Sequence, residues 1–68
     1  MTVGERIEWH RHLMGISQSE LARRTGLTRV TIHNYEKNLR EPTLINAMCV
    51  ADSLGISLEY LARGTKNE

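Results

Sequence analysis

Helix-ending residues recur along this chain at intervals that leave room only for short helices. Gly15, Gly26, Asn38, Gly55 and Gly64 each follow a stretch of helical periodicity, at the place where a residue in the left-handed conformation closes a helix. Pro42 blocks continuation after the third stretch. No segment alternates apolar and polar residues with the period of a strand. The punctuation therefore divides the chain into five helices and predicts an all-α fold.

The first helix is expected over Val3 to Met14, with Val3, Ile7, His10 and Met14 on one inward stripe, Leu13 widening it and Arg11 at its edge. The second opens on Ser17, with Glu20 placed to complete a reciprocal capping box and Leu21 and Ala22 facing in. Thr28 caps the third, which turns Ile32 and Tyr35 inward. Thr43 caps the fourth, with Leu44, Ala47, Met48, Val50, Ala51 and Leu54 on its core side. Ser57 caps a short fifth helix carrying Leu58, Tyr60 and Leu61. Such caps stabilise a helix by about 0.5–2 kcal/mol each.

Sixty-eight residues allow one domain, expected over 1–68. A domain this small buries only about 60% of its unfolded surface, so each helix must contribute to the core. With no Phe, that core must be aliphatic. A catalytic cavity of about 300 Å³ or more would leave too little chain to enclose it. Cys49 is the only cysteine, which excludes an internal disulfide and fits a reducing, cytoplasmic compartment. It has no basic neighbour on its helix to activate it. No apolar run approaches the ~18 residues of a membrane span, and no leader pattern is present. His10 and His12 are two apart and face different ways, so no metal is expected, nor any cofactor or small-molecule ligand. The closing run Thr65-Lys-Asn-Glu reads either as a terminus or as the start of a linker.

The net charge of +1 hides an asymmetry. Residues 21–40 hold Arg23, Arg24, Arg29, Lys37 and Arg40 against Glu36 alone, while the remainder is mildly acidic. A polyanion would dock on that block. The same block overlaps residues 18–37, QSELARRTGLTRVTIHNYEK, which read as two short helices and a tight turn. Ala22 is small where the two axes would come closest, and Gly26 can take positive φ in the turn without steric cost. Helix-turn-helix DNA binders use this arrangement.

The chain resembles the lambda-repressor-like, Cro/C1-type (XRE family) helix-turn-helix domains of phage repressors and bacterial regulators. The resemblance covers residues 3–64 and rests on VGERI at 3–7, GISQSELARRTGLTRVTI at 15–32, YE at 35–36, REPT at 40–43 and ADSLGIS at 51–57. It implies a compact five-helix domain whose third helix enters the major groove. By position, Arg29, Val30, Thr31, His33 and Asn34 would then meet base edges. Their chemistry agrees: Arg29 can donate twice to guanine O6 and N7, Val30 and the Thr31 methyl can touch a thymine methyl, and Asn34 can pair with adenine. For His33 and Asn34 a merely solvated helix face is an equal alternative. Gln18 matches the family's backbone-gripping glutamine, and Thr28, Lys37, Asn38 and Arg40 would hold phosphates; Lys37 and Arg40 also read as plain solvated charges. Arg11 and Glu36 match a family ion pair that braces the first helix on the third. The family often dimerises around the fifth helix, here Ile56, Leu58 and Glu59.

Four positions depart from the family pattern or stand outside it. His10 takes a place usually held by Leu and is expected to be partly buried and hydrogen-bonded. Ile45 and Cys49 lie off the core stripe, as harmless singles or a partner surface, and Trp9 is expected as lateral cover of the core. The function implied is a sequence-specific double-stranded DNA-binding regulator, a repressor acting as a homodimer on a palindrome. The alternative is an antitoxin-like interaction module with secondary DNA binding.

Overall fold

A computed structural model describes residues 1–65, so the end of the closing polar run lies outside the described residues. The order is α1 (Val3–Met14), α2 (Gln18–Thr25), α3 (Arg29–Glu36), α4 (Leu44–Leu54) and α5 (Leu58–Arg63), with no strand among the described residues. Each helix begins with a hydroxyl cap. Thr2, Ser17, Thr28, Thr43 and Ser57 accept from the backbone N–H of Glu5, Glu20, Thr31, Asn46 and Tyr60 at 3.0–3.2 Å.

Two caps differ from expectation. The reciprocal box forms at Thr2, where Glu5 Oε1 accepts the Thr2 N–H at 2.8 Å. At Ser17 the Glu20 carboxylate turns instead to Arg23 and Arg24. Those arginines stand three and four residues on, on the same face, and a charged donor outcompetes a backbone N–H. At the other helix ends, Asn38 takes φ 59° and is the only described non-glycine at positive φ. Gly64 has φ 73° but ψ −161°, so α5 does not end in a left-handed cap. Its last carbonyls are met from α1 instead: Arg6 is buried and donates through Nε to the Leu61 carbonyl (2.8 Å) and through Nη2 to that of Ala62 (3.1 Å).

The core is aliphatic, built from Ile7, Leu21, Ala22, Ile32, Val50, Ala51, Leu54 and Leu61 with Tyr35. The Tyr35 hydroxyl accepts from Asn46 Nδ2 of α4 at 2.9 Å. His10 is half-buried and bonded to the Tyr60 hydroxyl at 2.9 Å, tying α1 to α5 as expected. The expected α1 stripe holds at Val3, Ile7 and His10 but fails at its end. Gly4, Ile7 and Arg11 face in, whereas Leu13 and Met14 are exposed. Gly4 lets α1 close directly on the end of α3. Trp9 lies on the opposite face and is 54% exposed, so it does not cover the core. In α4 the inward side is Val50, Ala51 and Leu54, with Ala47 packed at its margin, and Leu44 and Met48 are exposed. Leu44 belongs to the first turn, which borders a groove of about 280 Å³ lined also by Val3, Ala47, Leu58 and Leu61.

Candidate nucleic-acid interface

The turn between α2 and α3 is built as its sequence suggests. Gly26 takes φ 74°, and the N–H of Leu27 reaches back to the carbonyl of buried Ala22 at 3.0 Å. Thr25 Oγ1 adds bonds to the carbonyls of Leu21 (2.9 Å) and Ala22 (3.1 Å), meeting acceptors at the end of α2. Thr28 then starts α3, its hydroxyl 2.8 Å from that of Thr31 as well as on the Thr31 N–H.

On α3, Ile32, Tyr35 and Glu36 are buried. At 100° per residue this sends Val30, Asn34 and Lys37 to the opposite face, with Arg29 and His33 along the edge next to α2 and Thr31 on the other edge. Arg29 and Val30 are exposed, and Thr31, His33 and Asn34 are half-buried. Of the five expected base readers, Val30 and Asn34 thus face outward, and Arg29, His33 and Thr31 lie along the two edges of the same short helix. No side-chain hydrogen bond within the described residues engages Val30, His33 or Asn34; the Asn34 carbonyl accepts the N–H groups of Leu39 (2.9 Å) and Arg40 (3.3 Å), which shapes the following loop.

The back of α3 is fixed by charge. Arg11 donates through Nε to Glu36 Oε2 at 2.7 Å and through Nη2 to Glu36 Oε1 at 3.0 Å, and its Nη1 reaches the Ile16 carbonyl at 2.9 Å. The Glu36 side chain is fully buried and that of Arg11 nearly so. The hydrogen bonds to Glu36 raise the Arg11 pKa above its usual value, against the opposing pull of burial. The expected brace between the first and third helices is thus present, and it has a further member: Gln18 Nε2 also donates to Glu36 Oε1, at 3.0 Å. Gln18 Oε1 lies 3.5 Å from Arg29 Nη1.

The expected phosphate clamps are less uniform than the sequence suggests. Arg40 is exposed and engages no side chain among the described residues. Lys37 Nζ sits 3.6 Å from Glu8 Oε2, a carboxylate also 3.8 Å from His12 Nε2. Asn38 is exposed, yet its Oδ1 rests against Gly4 and helps to close α1 onto α3. Glu20 lies just outside the basic block counted from the sequence and engages both Arg23 and Arg24; the Arg23 bond, then that of Arg24, lowers its pKa to about 2. The spacing of Glu20 from these arginines carried that signal, whereas nothing local announced the Gln18–Glu36 contact. At the expected dimer surface Ile56 packs on the core, Leu58 is half-buried and Glu59 is exposed. Among the described residues no cluster of three His, Cys, Asp or Glu is arranged to hold a metal, and no helix is long and apolar enough to cross a membrane.

The model of the helix-turn-helix family matches residues 7–61. An uncharacterized HTH-type transcriptional regulator of Methanothermobacter thermautotrophicus is 47% identical over 49 residues, covering 72% of this chain and 71% of its own. Repressor protein C2 of Salmonella phage P22 is 32% identical over 62 residues, covering 91% of this chain but 29% of its own. Other curated relatives are likewise matched over as little as 21% of their length. The fold superposes on the P22 c2 repressor in complex with synthetic operator 9T with a TM-score of 0.93 at 31% identity, over 96% of this chain and 98% of that one. SinR of Bacillus subtilis, in complex with DNA, gives 0.83 at 31% identity, over 88% and 97%. By sequence and by fold alike, this chain belongs to the Cro/C1-type helix-turn-helix family.

Proposed function

We propose that this chain is a sequence-specific double-stranded DNA-binding transcriptional regulator, a repressor that inserts α3 into the major groove. The observation that carries this reading is the outward side of α3, with Arg29, Val30, Thr31, His33 and Asn34 together, in a fold that superposes at a TM-score of 0.93 on an operator-bound repressor. Arg29 would read guanine through two donated bonds, Val30 and Thr31 a thymine methyl, and Asn34 an adenine edge. Thr28, Arg40, Gln18 and, in part, Lys37 and Asn38 would hold phosphates and set the docking angle.

The chain acts as one domain, in the cytoplasm, with no chemistry of its own. It works as a homodimer on a palindrome, with the two recognition helices about 34 Å apart. The pairing surface lies around α5 and its approach, where Glu59 is exposed and Leu58 borders the apolar groove. Repression follows from occupying a site that polymerase needs.

Selection of bound sequences from random duplexes tests the whole reading at once. Enrichment of a palindrome is expected, and Arg29→Ala should lose discrimination at one base pair per half-site by roughly 1–3 kcal/mol. No enrichment at all would move the reading to a protein-interaction module. That second reading draws on the apolar outward face of α1, where Trp9 and Leu13, one turn apart, are 54% and 65% exposed. It predicts a co-purifying protein and no retention on DNA at low salt.

A further inference from the structure

We infer that α1 clamps α5 at two points, and that His10, through the Tyr60 hydroxyl, is a positioning residue for the contact with a second copy of this chain. This rests on the proposed reading of α5 and its approach as the pairing surface.

α5 is too short to fix its own place. It has six residues, Leu58–Arg63, and an isolated helix shorter than about 12 residues is marginal in water. Ser57 caps its start, but its far end has no left-handed cap; the Gly64 N–H returns to the Tyr60 carbonyl at 2.7 Å. Leu61 is its one fully buried residue. Arg6 and His10 stand one turn apart on α1, so their side chains leave the helix close together. Arg6 is buried and donates to the Leu61 and Ala62 carbonyls at 2.8 and 3.1 Å, and through Nη1 to the Met1 carbonyl. These bonds fix the last turn of α5 along its axis. His10 Nε2 meets the Tyr60 hydroxyl at 2.9 Å, with the two rings edge to face at 87° and their centroids 5.2 Å apart. Tyr60 is half-buried and adjoins exposed Glu59. A tether at the tip of Tyr60 fixes the rotation of α5, and with it the direction in which Leu58 and Glu59 point.

A polar tie does what burial of Leu61 cannot. Apolar contact is non-directional and tolerates a helix that turns in its seat. A hydrogen bond weakens steeply once its angle is lost. An imidazole nitrogen either donates or accepts, and a hydroxyl can do both, so the His10–Tyr60 bond forms with either ring tautomer. Pairing and reading also separate in space. α5 packs on α1 and α4, whereas α3 packs on α1 and α2. Loosening α5 therefore disturbs the pairing surface and leaves the outward face of α3 in place.

The test compares two duplexes: the palindrome recovered from random-duplex selection, and the same duplex with one half-site scrambled. Affinities are measured for the wild type, Tyr60→Phe, His10→Leu, the His10→Leu/Tyr60→Phe double variant and Glu59→Arg, each with its thermal unfolding curve. The preference for the palindrome over the single half-site reads out pairing. Tyr60→Phe and His10→Leu should each lower it by roughly three- to tenfold, the range of one lost hydrogen bond, and the double variant should go no further. Half-site affinity should stay at the wild-type value. The double variant removes both polar partners and should melt no lower than wild type, so its lost pairing is not lost folding. If Tyr60→Phe alone lowers the preference, the hydroxyl serves the partner rather than His10, and the inference is wrong. It is equally wrong if the double variant keeps the preference while Glu59→Arg loses it. If Glu59→Arg keeps it too, the pairing surface lies off α5, and that part of the proposed function falls with the inference. A wild type that enriches no palindrome overturns the homodimer reading itself.

Discussion

Gly4 of α1 lies so close to Tyr35 of α3 that a Cβ at Gly4 would stand 2.1 Å from the Tyr35 carbonyl oxygen and 3.0 Å from that of Glu36. Both obstacles are backbone, so no rotamer change relieves them. Gly4→Ala gains about 1 kcal/mol of helix propensity but forces α1 and α3 apart, against an overpacking cost of typically 1–3 kcal/mol or more. We expect a net loss in urea unfolding, seen as a lower midpoint at unchanged slope. DNA affinity should fall as well, because α3 is the element that moves. A variant as stable as wild type would mean that α1 does not seat on α3 this closely.

The Arg11–Glu36 pair is buried on both sides, which makes the two single substitutions more costly than the double. Arg11→Met strands the Glu36 carboxylate and Glu36→Leu strands the guanidinium, each expected to cost about 3–5 kcal/mol. That is a large share of the ~5–15 kcal/mol typical of whole domains. The double variant Arg11→Met/Glu36→Leu leaves no unpaired charge and should recover most of the loss. A double-mutant cycle by chemical denaturation measures the coupling, and additive losses would exclude the brace.

Acid titration of the wild type against Glu20→Gln singles out Glu20. Its folded pKa is lowered from 4.5 to about 2 by the hydrogen bonds of Arg23 and Arg24. A carboxylate held below its unfolded value contributes stability above that value and loses it as pH falls through the folded one. The contribution is therefore present above pH 4.5 and disappears toward about pH 2. Glu20→Gln should flatten the fall in melting temperature across that window. The difference should shrink in about 1 M salt, because the pair is exposed and screened. The same variant releases Arg23 and Arg24 and should strengthen non-specific DNA retention at low salt. An unchanged acid limb would show that Glu20 does not hold them.

What was legible in the sequence was local. A cap needs its hydroxyl and a backbone N–H three residues on, so Ser17, Thr28, Thr43 and Ser57 could be read directly, and Thr2 carried the same signal. Gly26 and Asn38 likewise marked their turns. What was hidden depends on where distant helices land. The close seating of Gly4 on Tyr35 and the exposure of Leu44 and Met48 both depend on how distant helices meet. The bonds of Arg6 leave no local signal, because the carbonyls it meets lie 55 and 56 residues away. On the candidate interface, the face of α3 could be read from periodicity, whereas the Gln18–Glu36 and Lys37–Glu8 contacts are made across helices and leave no periodic trace.

That last contact separates the two cations expected to grip phosphates. Arg40 is exposed with no acidic partner among the described residues, whereas Lys37 shares its charge with Glu8 at 3.6 Å. Each phosphate neutralised contributes roughly 0.9 to the slope of log K against log salt. Arg40→Ala should reduce the slope by roughly 1 and weaken binding similarly across sequences. Lys37→Ala should do less, because the charge it removes was already partly balanced. Glu8→Gln, which removes the carboxylate beside Lys37, should then strengthen binding and steepen the slope. Salt titrations of the three variants on one duplex check the order. Equal effects of Lys37→Ala and Arg40→Ala, together with a silent Glu8→Gln, would mean that Lys37 leaves Glu8 freely when DNA arrives.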